Sequence, residues 1–129
     1  MATFRSNKER GTSFEKEMCE VLANRGFWVH FMSPSPSGSQ PCDIICSKNN
    51  VSWLIDCKTS AKAKFSITRL EENQIYAFEK WIACGNSSCY IAIKYKEEIH
   101  LVPYLFLKHL TTINLEETRE YLYLEQYKS

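Results

Sequence analysis

Residues 41–58 read Pro41-Cys42-Asp43-Ile44-Ile45-Cys46-Ser47-Lys48-Asn49-Asn50-Val51-Ser52-Trp53-Leu54-Ile55-Asp56-Cys57-Lys58. Two strand-like runs, 42–47 and 51–58, flank a Lys48-Asn49-Asn50 turn. Asparagine tolerates the left-handed backbone that a tight hairpin turn requires, so the segment predicts a β-hairpin. Side chains alternate between the two faces of a strand. Asp56 and Lys58 therefore share one face, and Ile55 and Cys57 the other. Asp43 opens the other run, so a hairpin can set it beside Asp56 on a neighbouring strand, near the same end. Two carboxylates a few ångström apart repel unless a cation lies between them. Mg²⁺ suits such a place, because it keeps several waters and needs few carboxylates.

The pattern extends outward on both sides. Phe14, Met18, Val21 and Leu22 recur at helical spacing, and Gly26 is a natural stop. Glu15 borders that buried stripe, where it is a candidate third carboxylate. Thr12-x-x-Glu15 also reads as a capping box, which would give Glu15 a purely structural task. Residues 27–32 are aromatic and apolar and predict a strand. The run 33–41 holds three prolines and four serines and reads as a loop. After the hairpin come Lys58, Lys62, Lys64 and Arg69. Thr68 and Glu71 carry a capping-box signature for a helix running to about residue 83. Its apolar stripe is Leu70, Ile75, Phe78 and Ile82, and Gln74 sits on that stripe. Strands are expected over 90–94 and 99–102, with a tail over 104–128 that is helical in pieces. The order α-β-β-β-α-β-β-α implies an α/β fold with a central mixed sheet flanked by helices. Trp53, Phe78 and Trp81 read as core, and the three histidines have no ligand spacing.

Length and composition set limits. At 129 residues the chain reads as one domain, 1–129, with residues 1–11 as a flexible basic arm carrying Arg5, Lys8 and Arg10. The net charge of +1 does not by itself announce a nucleic-acid partner, so charge distribution must decide. No signal-like or membrane-spanning stretch is evident. The six cysteines show no C-x-x-C pair and no zinc-finger spacing. Cys19 falls in a helical pattern and Cys46 and Cys57 in strand patterns, where thiols act as small hydrophobes, so they are expected reduced, in a cytoplasmic setting. No Gly-rich phosphate loop or nucleophilic Ser or Cys pattern appears.

Taken together, Gly11-Thr12-Ser13-Phe14-Glu15, Arg25-Gly26-Phe27, the serine-rich loop, Pro41-Cys42-Asp43 and Asp56-Cys57-Lys58 resemble the PD-(D/E)XK nucleases. Within them the resemblance is to the Holliday junction resolvases of archaea and of Gram-positive bacteria and their phages, over about residues 11–103. The resemblance implies a restriction-endonuclease-like fold. It implies that Glu15, Asp43, Asp56 and the Cys57 carbonyl hold Mg²⁺, with Mn²⁺ as a substitute, and that Lys58 aids attack by water on a phosphodiester. Gln74 then supports the site, giving Glu15, Asp43, Asp56, Lys58 and Gln74 as the catalytic set. Arg5, Lys8, Arg10, Ser35, Ser37, Lys62, Lys64 and Arg69 are the expected DNA contacts. A homodimer acting on four-way junctions, in a bacterial or phage-infected cell, completes the expectation. Two alternatives stay open: the same chemistry on flap, single-stranded or duplex DNA, and a catalytically silent DNA-binding module.

Overall fold

The computed structural model describes residues 7–32 and 40–117. In chain order the elements are α1 (Asn7–Asn24), β1 (Trp28–Phe31), β2 (Ile44–Lys48), β3 (Val51–Thr59), β4 (Lys64–Ser66), a 3-10 turn (Ile67–Arg69), α2 (Glu72–Ala83), β5 (Cys89–Tyr95), β6 (Glu98–Pro103), α3 (Tyr104–Leu110) and β7 (Thr112–Asn114). Five strands form one sheet in the order β1-β2-β3-β5-β6. Only the β3–β5 pair is parallel. The chain between those two strands supplies β4 and α2, as a parallel crossover requires. The expected α/β architecture, a mixed sheet with helices about it, is what the chain forms.

The hairpin forms as its sequence predicts. Asn49 and Asn50 take positive φ of 53° and 67°, the two left-handed residues of a primed two-residue turn. Lys96 and Glu97 do the same between β5 and β6, with φ of 48° and 64°. Gly26 ends α1 at φ 88°, where a side chain would be strained.

Helix α1 covers one sheet face. Phe14, Met18 and Leu22 are buried against Ile44, Cys46, Ile55, Cys57, Ala92, Ile99 and Leu101. The other face carries Leu54, Ile91, Ile93 and Val102, covered by Phe78 of α2, Tyr104 and Leu107 of α3, and Phe65 and Ile113 of the small β4–β7 sheet. Each fully buried Met or Leu contributes roughly 1.5–3 kcal/mol, so this double-sided core fixes the three helices on the sheet. Among the described residues, no helix is long and apolar enough to cross a membrane. All six cysteines are free thiols.

Three expectations are corrected. Helix α1 begins at Asn7, so residues 7–11 are helical and not part of an arm. Lys8, Glu9 and Arg10 are good helix formers, and a helix already anchored by its apolar stripe extends into them. Thr12 consequently lies inside α1, and Thr12-x-x-Glu15 is no capping box. The cap of α2 is shifted as well. Ser66 caps the 3-10 turn by accepting from the Thr68 N–H, and the capping box is Glu71 with Gln74. The tail, expected to be helical in pieces, forms α3 and then the short strand β7, and its residues from 118 on lie outside the described residues. Strands of three residues are too short to show a period, and the partners β4 and β7 lie far apart in sequence.

Candidate active site

The β2–β3 register places the two aspartates. Ile44 pairs with Ile55, so Asp43, one residue before β2, stands opposite Asp56. The Asp43 N–H donates to the Ile55 carbonyl at 3.1 Å, which carries the pairing one step beyond the strand. Directly opposed residues share a face. That face belongs to α2, because Leu54, two residues before Asp56, packs in the core beneath α2 and α3. The Asp43 carboxylate accepts the Cys57 N–H through Oδ2 at 2.7 Å.

Asp56 is completely buried, an expensive location for a carboxylate. Its Oδ1 accepts from Gln74 Nε2 at 2.6 Å. Its Oδ2 lies 3.3 Å from Lys58 Nζ but accepts no well-formed hydrogen bond. Burial, and then the neighbouring Asp43 carboxylate, push the Asp56 pKa well above the usual carboxylate range, while Lys58 opposes them. Lys58 Nζ also donates to Gln74 Oε1 at 3.3 Å, and that same oxygen accepts the Glu71 N–H at 2.9 Å. Gln74 is therefore the hinge of the arrangement. Being at the third position of α2, it closes the helix N-terminus and holds both charged residues of the D-x-K pair.

Glu15 reaches the same place from α1. It is half-buried, and burial followed by the Asp43 charge raises its pKa to about 7, with Lys58 acting in the opposite sense. Glu15 and Asp56 thus feel the same two partners, Asp43 and Lys58, so three carboxylates and one ammonium share a local field at one end of the sheet. Among the described residues, no three His, Cys, Asp or Glu side chains close tightly enough to form a metal cage. The donor set still fits a hard divalent ion of the Mg²⁺ kind, which takes one or two protein carboxylates and leaves the rest of its shell to water and phosphate. The unfilled, buried Asp56 Oδ2 is the atom that most needs such a partner.

Of the expected DNA contacts, Lys62 and Lys64 are exposed just beyond the site strand. Arg69 is exposed too, but its guanidinium donates to the Thr59 carbonyl at 2.9 Å and lies over the Phe65 ring at 5.1 Å. Arg5, Ser35 and Ser37 lie outside the described residues, and so do the side chains of Lys8 and Arg10. A cleft of about 450 Å³ beside the site was not anticipated; Ser13, Glu17, Thr59, Ser60 and Lys94 line it. Lys94 pairs with Glu17 of α1 at 2.5 Å. A signal existed: in Ile91-Ala92-Ile93-Lys94, the lysine alternates onto the face of Ala92, which is the α1 face.

A family model for the archaeal Holliday junction resolvase Hjc matches residues 6–126. The chain belongs to that family. The crossover junction endodeoxyribonuclease Hjc of Methanocaldococcus jannaschii is 31% identical over 102 residues, 78% of this chain and 71% of that protein. The crossover junction endodeoxyribonuclease Hje of Sulfolobus acidocaldarius is 25% identical over 124 residues, 95% of this chain and 87% of that one. Among solved structures, Archaeoglobus fulgidus Hjc, a Holliday junction resolvase, superposes with a TM-score of 0.61 at 16% identity, covering 85% of this chain and 88% of that one. At that identity the superposition speaks for the fold. Family membership and fold agree with the resemblance carried by the hairpin.

Proposed function

We propose that this Hjc-family chain is a Mg²⁺-dependent endodeoxyribonuclease that cuts four-way DNA junctions as a homodimer in the cytoplasm, one site nicking each of two opposed strands. The observation that carries the chemistry is Asp43 facing Asp56 across the hairpin, with Lys58 and Gln74 joined to Asp56. The junction substrate is supported by family membership, and the homodimer by the two cuts that a four-way junction requires.

Glu15, Asp43, Asp56 and the Cys57 carbonyl would hold the metal. When bound, such an ion supplies charge neutralisation at the phosphate and Lewis acidity toward water. The protein's own part is positioning. Asp43 is oriented by the Cys57 N–H, and Asp56 by the Gln74 amide. Lys58, mostly buried and tethered at 3.3 Å to both Asp56 and Gln74, keeps a cation beside the carboxylates, where it stabilises negative charge gathering on a phosphate. Lys62 and Lys64 neutralise flanking backbone phosphates, with affinity that falls as salt rises.

The test is a cleavage panel of four-way junction, flap, duplex and single-stranded DNA, with Mg²⁺ for turnover and Ca²⁺ for binding alone. The expected result is paired, symmetric nicking of the junction, with Asp56→Asn and Lys58→Ala each abolishing cleavage while junction binding in Ca²⁺ persists. Full activity in either variant overturns the catalytic assignment, and preferential cutting of another substrate overturns the junction. Binding without nicking of any substrate would mark a silent module.

A further inference from the structure

Strand β1 lies at the sheet edge and carries two exposed rings that the proposed chemistry does not use. Trp28 is 63% exposed, high for so large an apolar side chain. His30, also exposed, stands two residues on along the same face. The two rings are nearly parallel, with 10° between their planes and 6.2 Å between centroids. Val29 and Phe31 alternate to the opposite face, against the α1 core.

The register ties this pair to the active site. Cross-strand partners share a face. Trp28 is opposite Ser47, which is opposite Ser52, and the two serine hydroxyls lie 3.4 Å apart. His30 is opposite Ile45, which is opposite Leu54. The next row is Met32, whose N–H donates to the Asp43 carbonyl at 2.8 Å, then Asp43 and Asp56. Trp28 and His30 therefore lie on the same sheet face as the two aspartates. Rows two residues apart are separated by about 7 Å, which puts Trp28 roughly 13 Å from the aspartate row. That is about four base steps along a stacked DNA strand.

We infer that the Trp28–His30 pair is a stacking platform for unpaired DNA bases close to the cleaved phosphate. The inference rests on the nuclease reading above. Three observations select nucleobases as the occupant. The rings present flat, parallel faces, which every base can stack on. The Trp28 row continues into the small polar Ser47 and Ser52, so the face beside the 63% exposed Trp28 is polar and open, while the His30 row continues into Ile45 and Leu54. Their face continues into the site where a phosphate would be cut. Bases within continuous duplex already have both faces covered, so the platform favours DNA whose stacking is interrupted, as at a branch point.

The test uses the full-length protein with Trp28→Ala, Trp28→Phe and His30→Ala, and a four-way junction carrying a fluorescent adenine analogue about four nucleotides from the cut. Binding is measured in Ca²⁺, against a continuous duplex of the same sequence. Trp28→Ala is expected to weaken junction binding about tenfold, to change duplex binding little, and to abolish quenching of the analogue. Trp28→Phe should recover most of the affinity, and His30→Ala should give a smaller loss of the same kind. Cleavage by Trp28→Ala at saturating junction should match the unsubstituted protein. If that protein cuts the junction while Trp28→Ala binds it equally well and still quenches the analogue, the platform is refuted and the nuclease reading stands. A change in oligomeric mass with unchanged DNA affinity assigns the face to a protein contact and also refutes it. Failure of the unsubstituted protein to bind or cut any DNA removes both.

Discussion

Gln74 shows how much one side chain can organise. Its amide nitrogen holds Asp56, and its amide oxygen takes both the Lys58 ammonium and the Glu71 N–H. Gln74→Ala should lower single-turnover cleavage about 10- to 100-fold, as loss of an orienting partner does in metal sites, with little change in DNA affinity. Unchanged turnover would show that Asp56 and Lys58 orient each other unaided. The raised carboxylates give a second prediction. Glu15 has its pKa raised from 4.5 to about 7, and Asp56 is shifted in the same sense. A raised carboxylate binds protons more tightly in the folded state, so its contribution is fully present at low pH and is lost as pH rises through the raised value. Without divalent cation, the melting temperature should therefore fall between about pH 5 and about pH 8, and added Mg²⁺ should restore it at the upper end. Glu15→Gln should gain on the unsubstituted protein as pH rises. A stability difference that stays flat across this range would mean Glu15 titrates normally.

At the scale of elements, α1 carries Glu15 to the site only because its other face is buried. Met18 is completely buried one turn further along the helix. Met18→Ala should cost about 2–5 kcal/mol in urea unfolding, through lost burial and the cavity left behind. The Glu17–Lys94 pair also joins α1 to the sheet, but its side chains are 42% and 23% exposed. Glu17→Ala should cost under about 1 kcal/mol. Equal losses in the two variants would show that charge, and not packing, seats the helix. Elements also differed in legibility. The β2–β3 hairpin was readable because alternation and an Asn-Asn turn are local signals. The start of α1 was not, because a helix once anchored runs on through good formers without any change of pattern. The capping box of α2 lies three residues beyond the Thr68–Glu71 signature because Ser66 caps a separate 3-10 turn first.

For the whole molecule, the site sits where the hairpin meets the parallel β3–β5 pair, at the end of the sheet that also receives the N-terminus of α2 and the Glu15 turn of α1. On the function proposed above, one such end provides one cut. A junction needs two, so sedimentation equilibrium should give twice the chain mass, and a junction with one cleavable strand should be nicked without resolution. A strictly monomeric protein that still nicks opposed strands in concert would overturn the homodimer.

By itself, the sequence determined the α/β class and the D-x-K pair with its facing aspartate. Strand alternation and a two-residue turn act between near neighbours, and they set which side chains share a face before any helix is placed. Tertiary structure decided the rest: that Gln74 grips both Asp56 and Lys58, that Lys94 meets Glu17, and that Trp28 stands in the open on the site's own face. Those positions depend on how helices settle on a sheet and on which strand is left at its edge. Both are set by burial between residues distant in the chain, which no local pattern records.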